Sequence, residues 1–80
     1  MNPRMQEYIQ GVLAGLAYLH GYSDPTTVPK KYWQTLGAIV NSHKSKYTYG
    51  FQMGLDPCEV ARRIQGAQYA QHDAHVVSGR

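Results

Sequence analysis

The side chains with the widest chemical reach are a single cysteine, four histidines and two pairs of adjacent cations. Cys58 with His72, Asp73 and His75 offers thiolate, imidazole and carboxylate, and thiolate and imidazole suit zinc. The spacing is poor for a metal centre, because HDAH falls in a terminal stretch without hydrophobic period and no Cys-x-x-Cys accompanies it. No metal is expected. Cys58 follows Asp56 by two positions, where a helix start and Arg62 would favour a thiolate, and reads first as a small first-turn residue. Five acids are spread along the chain, with no Ser, His, Asp set or carboxylate pair spaced to share a cleft. Neither an enzyme nor a cofactor is expected.

The cations are better placed for binding than for catalysis. Lys30, Lys31 and Arg62, Arg63 fall in the first two turns of their helices, where the dipole is positive and a cation is mildly unfavourable. If four helices run up and down, the starts of the second and fourth share one end, and both pairs could meet phosphate or carboxylate groups there. Alternatively Asp24, Asp56 and Glu59 neutralise them and all are solvated. Lys44 and Lys46 interleave with Tyr47 and Tyr49 in HKSKYTY, a pattern that can track a nucleic-acid backbone while stacking bases, and one that also serves as a solubilising loop. Seven tyrosines in 80 residues is a high share, and tyrosine suits surfaces where one end of the ring is buried and the other wet. Tyr18, Tyr22, Tyr49 and Tyr69 fall off the apolar stripes and are the expected exposed, partner-binding set.

These groups must be carried by helices. Asn2 and Pro3 form a start signal, after which Met5, Ile9, Val12, Leu16 and Leu19 recur at spacings of 4, 3, 4 and 3. Gly21 ends this helix, and YSDPTTVP reads as a turn. Tyr32, Leu36, Ile39, Val40 and His43 give a second helix one apolar face. Ser42 or Ser45 is expected to cap a third, with Tyr47, Phe51 and Leu55 on one side. Asp56, Pro57 and Glu59 open a fourth through Val60, Ile64 and Ala67. The expectation is an all-α, compact four-helix domain with helices at about 3–20, 28–43, 46–55 and 57–72 and a loosely held tail at about 73–80.

Two stretches echo each other. Residues 8–16 read YIQGVLAGL and residues 47–55 read YTYGFQMGL, and DPTTVPKK at 24–31 answers DPCEVARR at 56–63. The pattern suggests two duplicated helical hairpins. Within a helix each of Gly11, Gly15, Gly50 and Gly54 costs about 1 kcal/mol relative to alanine, so close helix packing is the expected return. The first helix would cross the third with Tyr8 and Tyr47 over the crossing, or the glycine faces would meet a partner or a second copy. A helix-turn-helix reading of residues 28–50 lacks a recognition helix, since Tyr47 to Leu55 holds two glycines and only Gln52 as a good base reader.

The totals set the limits. A chain of 80 residues is one domain that buries only about 60% of its unfolded surface, too little to enclose a substrate deeply. With 42% hydrophobic and 16% charged residues it should fold, and a net charge of +3 attracts polyanions only mildly. One cysteine excludes an internal disulfide and fits a reducing, cytoplasmic compartment. The apolar run Gly11 to Leu19 is far short of a membrane span. MNPRMQEY has no cleavage pattern, so the mature chain is expected to start at Met1.

GFQMGL followed by Cys58, Arg62 and Gly66 resembles the glycine-rich helical pattern of ribosome modulation factors, small basic two-helix proteins that bind ribosomal RNA. The spacings differ and the first two helices have no counterpart. The resemblance implies RNA or ribosome partners. The expected function is therefore non-enzymatic docking on a protein or ribonucleoprotein partner, as a small intracellular regulator or inhibitor of the size phages encode. Basic contact with RNA or DNA backbone and self-association are the alternatives. No membrane role is expected.

Overall fold

A computed structural model describes the backbone of residues 2–78 and the side chains of residues 2–69. Four helices follow in order: α1 (Pro3–Leu19), α2 (Lys30–Ser42), α3 (Lys44–Met53) and α4 (Pro57–Ser78). The architecture is the expected all-α four-helix domain. Asn2 accepts the Arg4 N–H at 2.8 Å through Oδ1 and Pro3 fills the first turn, so α1 begins where its cap and proline predict.

Two glycine-terminated helix ends share one geometry. Gly21 donates to the Tyr18 carbonyl and Tyr22 to that of Ala17, each at 3.0 Å, with Gly21 at φ +101°. Gly54 donates to Phe51 at 3.3 Å and Leu55 to Gly50 at 2.9 Å, with Gly54 at φ +70°. Both are Schellman ends, in which a left-handed residue folds the chain back onto the last carbonyls. The expectation that Gly54 packs helices is thereby corrected: it ends α3, and a Cβ built on it meets nothing within 4 Å. Its counterpart is Gly21 rather than Gly15, and the echo between the two glycine motifs breaks there.

Other boundaries also moved. Pro25–Thr27 forms a separate 3₁₀ turn, closed by the Asp24 carboxylate accepting from the Thr26 N–H and hydroxyl at 3.0 and 2.8 Å. Because this turn uses Asp24, α2 starts later than position 28, after Pro29. Neither Ser42 nor Ser45 caps α3; His43 alone separates α2 from α3, and the Ser42 hydroxyl donates back to the Ile39 carbonyl at 2.7 Å. The backbone of α4 continues to Ser78, beyond the expected end near 72, while the side chains of the expected loose tail lie outside the described residues.

The core joins Val12, Leu16 and Ala17 of α1 to Leu36 and Val40 of α2, Tyr47 of α3, and Val60, Ala61 and Ile64 of α4. Burying each of the larger aliphatic side chains contributes about 1.5–3 kcal/mol. The most extensive contact is between α1 and α4. A Cβ built on Gly11 would lie 3.0 Å from Pro57 Cβ, and one on Gly15 would lie 3.0 Å from Ala61 Cβ. The two helices advance together across this contact, so they run in the same sense.

α3 and α4 form an antiparallel hairpin, with Gly50 against Val60 and His43 against Gln68. The up-and-down premise is corrected accordingly, because such a bundle would set α1 antiparallel to α4. The crossing inferred from the glycines is corrected as well. Gly11 and Gly15 admit α4 instead of α3, and Gly50 admits Val60 of α4 together with the Tyr8 hydroxyl. Tyr8 donates to the Leu55 carbonyl at 2.7 Å and meets Phe51 edge to face at 5.5 Å, which ties α1 to the α3–α4 corner. Burial, then the Asp56 charge, raises the Tyr8 pKa above its ordinary value.

Candidate partner-binding surface

The surface is organised by the first turns of α4. Asp56 supplies the carbonyl that accepts from Glu59 at 2.9 Å and Val60 at 3.2 Å, and Pro57 occupies the first helical position. Val60, Ala61 and Ile64 turn inward and are at most 1% exposed. That leaves Cys58 and Arg62, four residues apart, on one outward edge and Glu59 and Arg63 on the next. Glu59 lies between the two guanidinium groups, 3.4 Å from Arg62 and 3.8 Å from Arg63. Both pairs are exposed, so each contributes only about 0–1 kcal/mol. Glu59 faces both guanidinium groups, and Asp56 borders the groove that Arg62 lines, so the two arginines are matched by two acids along this edge.

On the Arg62 side lies a groove of about 480 Å³ between α1 and α4. Its floor is Gly11, Ala14 and Gly15 with Pro57, and its rim carries Tyr18 and Arg62. Gly11 and Gly15 set α4 close against α1 here, with Pro57 and Ala61 over their missing Cβ atoms. On the Arg63 side an open hollow of about 230 Å³ lies between α3 and α4. Leu55 and Val60 form its apolar part, and Ser45, Lys46, Tyr49 and Arg63 surround it.

Three of the tyrosines expected at the surface are there: Tyr18 is 67% exposed, Tyr49 53% and Tyr69 59%. Tyr22 is corrected. It is half-buried, its ring 5.3 Å from that of Tyr32, because the Schellman end at Gly21 turns it back toward α2. Tyr32 in turn bonds His20 Nδ1 at 2.9 Å. Tyr69 continues the Arg62 edge along α4, where Gln65 donates to its hydroxyl at 3.5 Å.

The shared basic end is also corrected. α4 starts beside Gly11, midway along α1, whereas α2 starts near the far end of α1 by His20 and Tyr22. Among the described residues the pair Lys30, Lys31 shares no hydrogen bond or ion pair with Arg62, Arg63. Lys30, Lys31 and Lys44 are exposed. What the fold does bring together is Lys46 with Arg63, beside Tyr49.

Sequence reasoning missed Met53, which is 61% exposed one turn beyond Tyr49. Its absence from the Tyr47, Phe51, Leu55 stripe was the available signal. It also missed the joint at His43. The Gln68 side-chain amide and His43 Nε2 lie 3.1 Å apart, a bond that joins the start of α3 to α4 and whose direction follows the imidazole tautomer. Burial, then the positive charge of Lys46, lowers the His43 pKa.

Cys58 is exposed at the groove, and no group of three His, Cys, Asp or Glu among the described residues could hold a metal. The side chains of His72, Asp73 and His75 lie outside them. No helix among the described residues is long and apolar enough to cross a membrane. Gly66, part of the likeness to ribosome modulation factors, is exposed on α4 with open space around it. No protein-family model matches the chain, and no curated protein and no solved structure matches it.

Proposed function

We propose that this protein is a non-enzymatic binding protein that docks on a protein partner through the α1–α4 groove, acting as a small intracellular regulator or inhibitor of the kind a phage encodes. The observation that carries the reading is Tyr18, 67% exposed on the rim of an apolar groove with Arg62 beside it. Tyrosine and arginine are the residue types that most often anchor interfaces, and they do so around a desolvated apolar centre. The floor of glycine and alanine suits a protruding side chain from the partner, since backbone lies close to its surface. The groove is open and shallow, which fits a macromolecular contact better than an enclosed substrate.

The test is affinity capture from a cognate extract after nuclease treatment, using the wild-type chain beside Tyr18→Ala and Arg62→Gln. Both side chains are exposed, so neither substitution disturbs the core. Support comes from a nuclease-resistant partner that the wild type retains and both variants lose. A partner held equally by all three proteins would rule out the groove as the docking site.

A further inference from the structure

The hollow on the other side of α4 has a different character from the groove. Its two cations come from different helices, Lys46 from α3 and Arg63 from α4, and Tyr49 stands beside them. Tyr47, the other aromatic of HKSKYTY, is buried at 6% exposure, while Tyr49 is 53% exposed. The fold therefore separates the two tyrosines of the motif into one that holds the core and one left free beside its lysine.

The charges of this hollow are incompletely neutralised. Arg63 shares Glu59 with Arg62, which lies closer to it, and Lys46 has no ion pair among the described residues. At about 230 Å³ and open to solvent, the hollow falls below the roughly 300 Å³ at which small-molecule pockets begin. It has room for one flat group held from a chain that continues outside.

We infer that this hollow seats one unpaired nucleotide of a single-stranded RNA, the base stacked on Tyr49 over Leu55 and the adjoining phosphates held by Lys46 and Arg63. Aromatic rings beside cationic tracks are how sequence-tolerant single-strand binders work, because every base has a π-face and every link a phosphate. A paired base is already stacked and cannot enter. Ser45 adds a hydroxyl at the edge of the hollow, able to exchange hydrogen bonds with a 2′-hydroxyl, the group that separates RNA from DNA. This site lies on the other side of α4 from the groove and does not use Tyr18, and Glu59 links its Arg63 to the groove's Arg62.

The experiment is fluorescence anisotropy of the full chain with a short labelled oligouridylate, run at about 50 mM and about 200 mM salt. Parallel arms use the matched deoxyuridine strand and a paired RNA of equal length. Binding should weaken steeply with salt, and Arg63→Gln and Lys46→Gln should each flatten the logarithmic slope by about 0.7. Tyr49→Ala should weaken binding by about ten-fold or more, while Tyr49→Phe, which keeps the ring, should stay close to wild type. Far-UV circular dichroism confirms that each variant folds. The inference is overturned by no binding at low salt, by Tyr49→Ala binding as well as wild type, or by equal affinity for the DNA or the paired strand. A nuclease-resistant protein partner lost with Tyr49→Ala, in a chain that binds no RNA, would assign the hollow to protein and overturn it too.

Discussion

Replacing Gly50 by alanine sets two effects of similar size against each other. In a helix interior, alanine is more favourable than glycine by about 1 kcal/mol, and Gly50 lies inside α3. The added methyl, however, collides with Val60 Cγ2 and would lie 2.7 Å from the Tyr8 hydroxyl. Val60 is β-branched and 1% exposed, so it has no free rotamer to take up. Overpacking of this kind costs about 1–3 kcal/mol. Moving the Tyr8 hydroxyl aside also forfeits its bond to the Leu55 carbonyl, about 0.5–1.5 kcal/mol more. The sum favours destabilisation by roughly 0.5–3.5 kcal/mol once the propensity gain is subtracted.

That is a large part of the stability available to the domain, which at about 0.05–0.15 kcal/mol per residue amounts to some 4–12 kcal/mol. Urea unfolding followed by far-UV circular dichroism measures it as a lower midpoint with an unchanged slope. Gly66→Ala is the internal control. Gly66 is also helical, nothing stands within 4 Å of its Cβ position, and there alanine should raise stability by up to about 1 kcal/mol. A Gly50→Ala protein as stable as wild type, or more stable, would refute the close packing of α3 on Val60 and Tyr8.

Other perturbations separate the remaining contributions. Gly54→Ala should cost about 1–2 kcal/mol by the same unfolding assay, because φ at this position is +70° and no steric relief is available elsewhere. Tyr8→Phe should cost about 0.5–1.5 kcal/mol, leaving the Leu55 carbonyl without its donor while keeping the edge contact with Phe51. Ile64→Ala, at a position with no exposure, should cost about 2–5 kcal/mol, enough to unfold a fraction of the chain at 37 °C. Lowering the His43 pKa means that the unfolded state binds its proton more readily than the folded state. This residue's contribution is therefore complete above the unfolded value of about 6.5 and declines as pH falls below it toward the folded value. Unfolding midpoints across that window should drop with acidity in the wild type, and less so in His43→Gln.

Much of the local structure could be read in the sequence because local chemistry decides it. Asn2–Pro3 and Asp56–Pro57 open helices in the places expected of them, and the stripe through Val12 and Leu16 marks the buried face of α1. The failures share one cause. Serine at 42 or 45 has the chemistry of a cap, yet the chain passes from α2 to α3 through His43 without leaving room for one. Gly50 and Gly54 are identical in type and lie one helical turn apart, yet one faces Val60 and the other carries a left-handed φ. Spacing alone does not distinguish a glycine that admits a neighbour from one that ends a helix. The next residues do: Leu55 closing onto Gly50 marks the end.

The same limit applied to the candidate surface. Off-stripe position identified Tyr18, Tyr49 and Tyr69 as exposed, since a helix with one buried face must leave its other side in water. It misjudged Tyr22, which lies beyond a helix end, where periodicity has no meaning and the turn decides. The sequence by itself determined the helices, their buried faces, two of their proline starts and the tyrosines left over, all consequences of residue type and a period of 3.6. Only the tertiary structure decided that α1 and α4 run side by side in the same sense, and hence that Arg62 joins Tyr18 while Arg63 joins Lys46 and Tyr49. The physical reason is that helix direction and partner choice depend on which missing Cβ faces which neighbour, a property of pairs of distant residues that no single stretch of chain encodes.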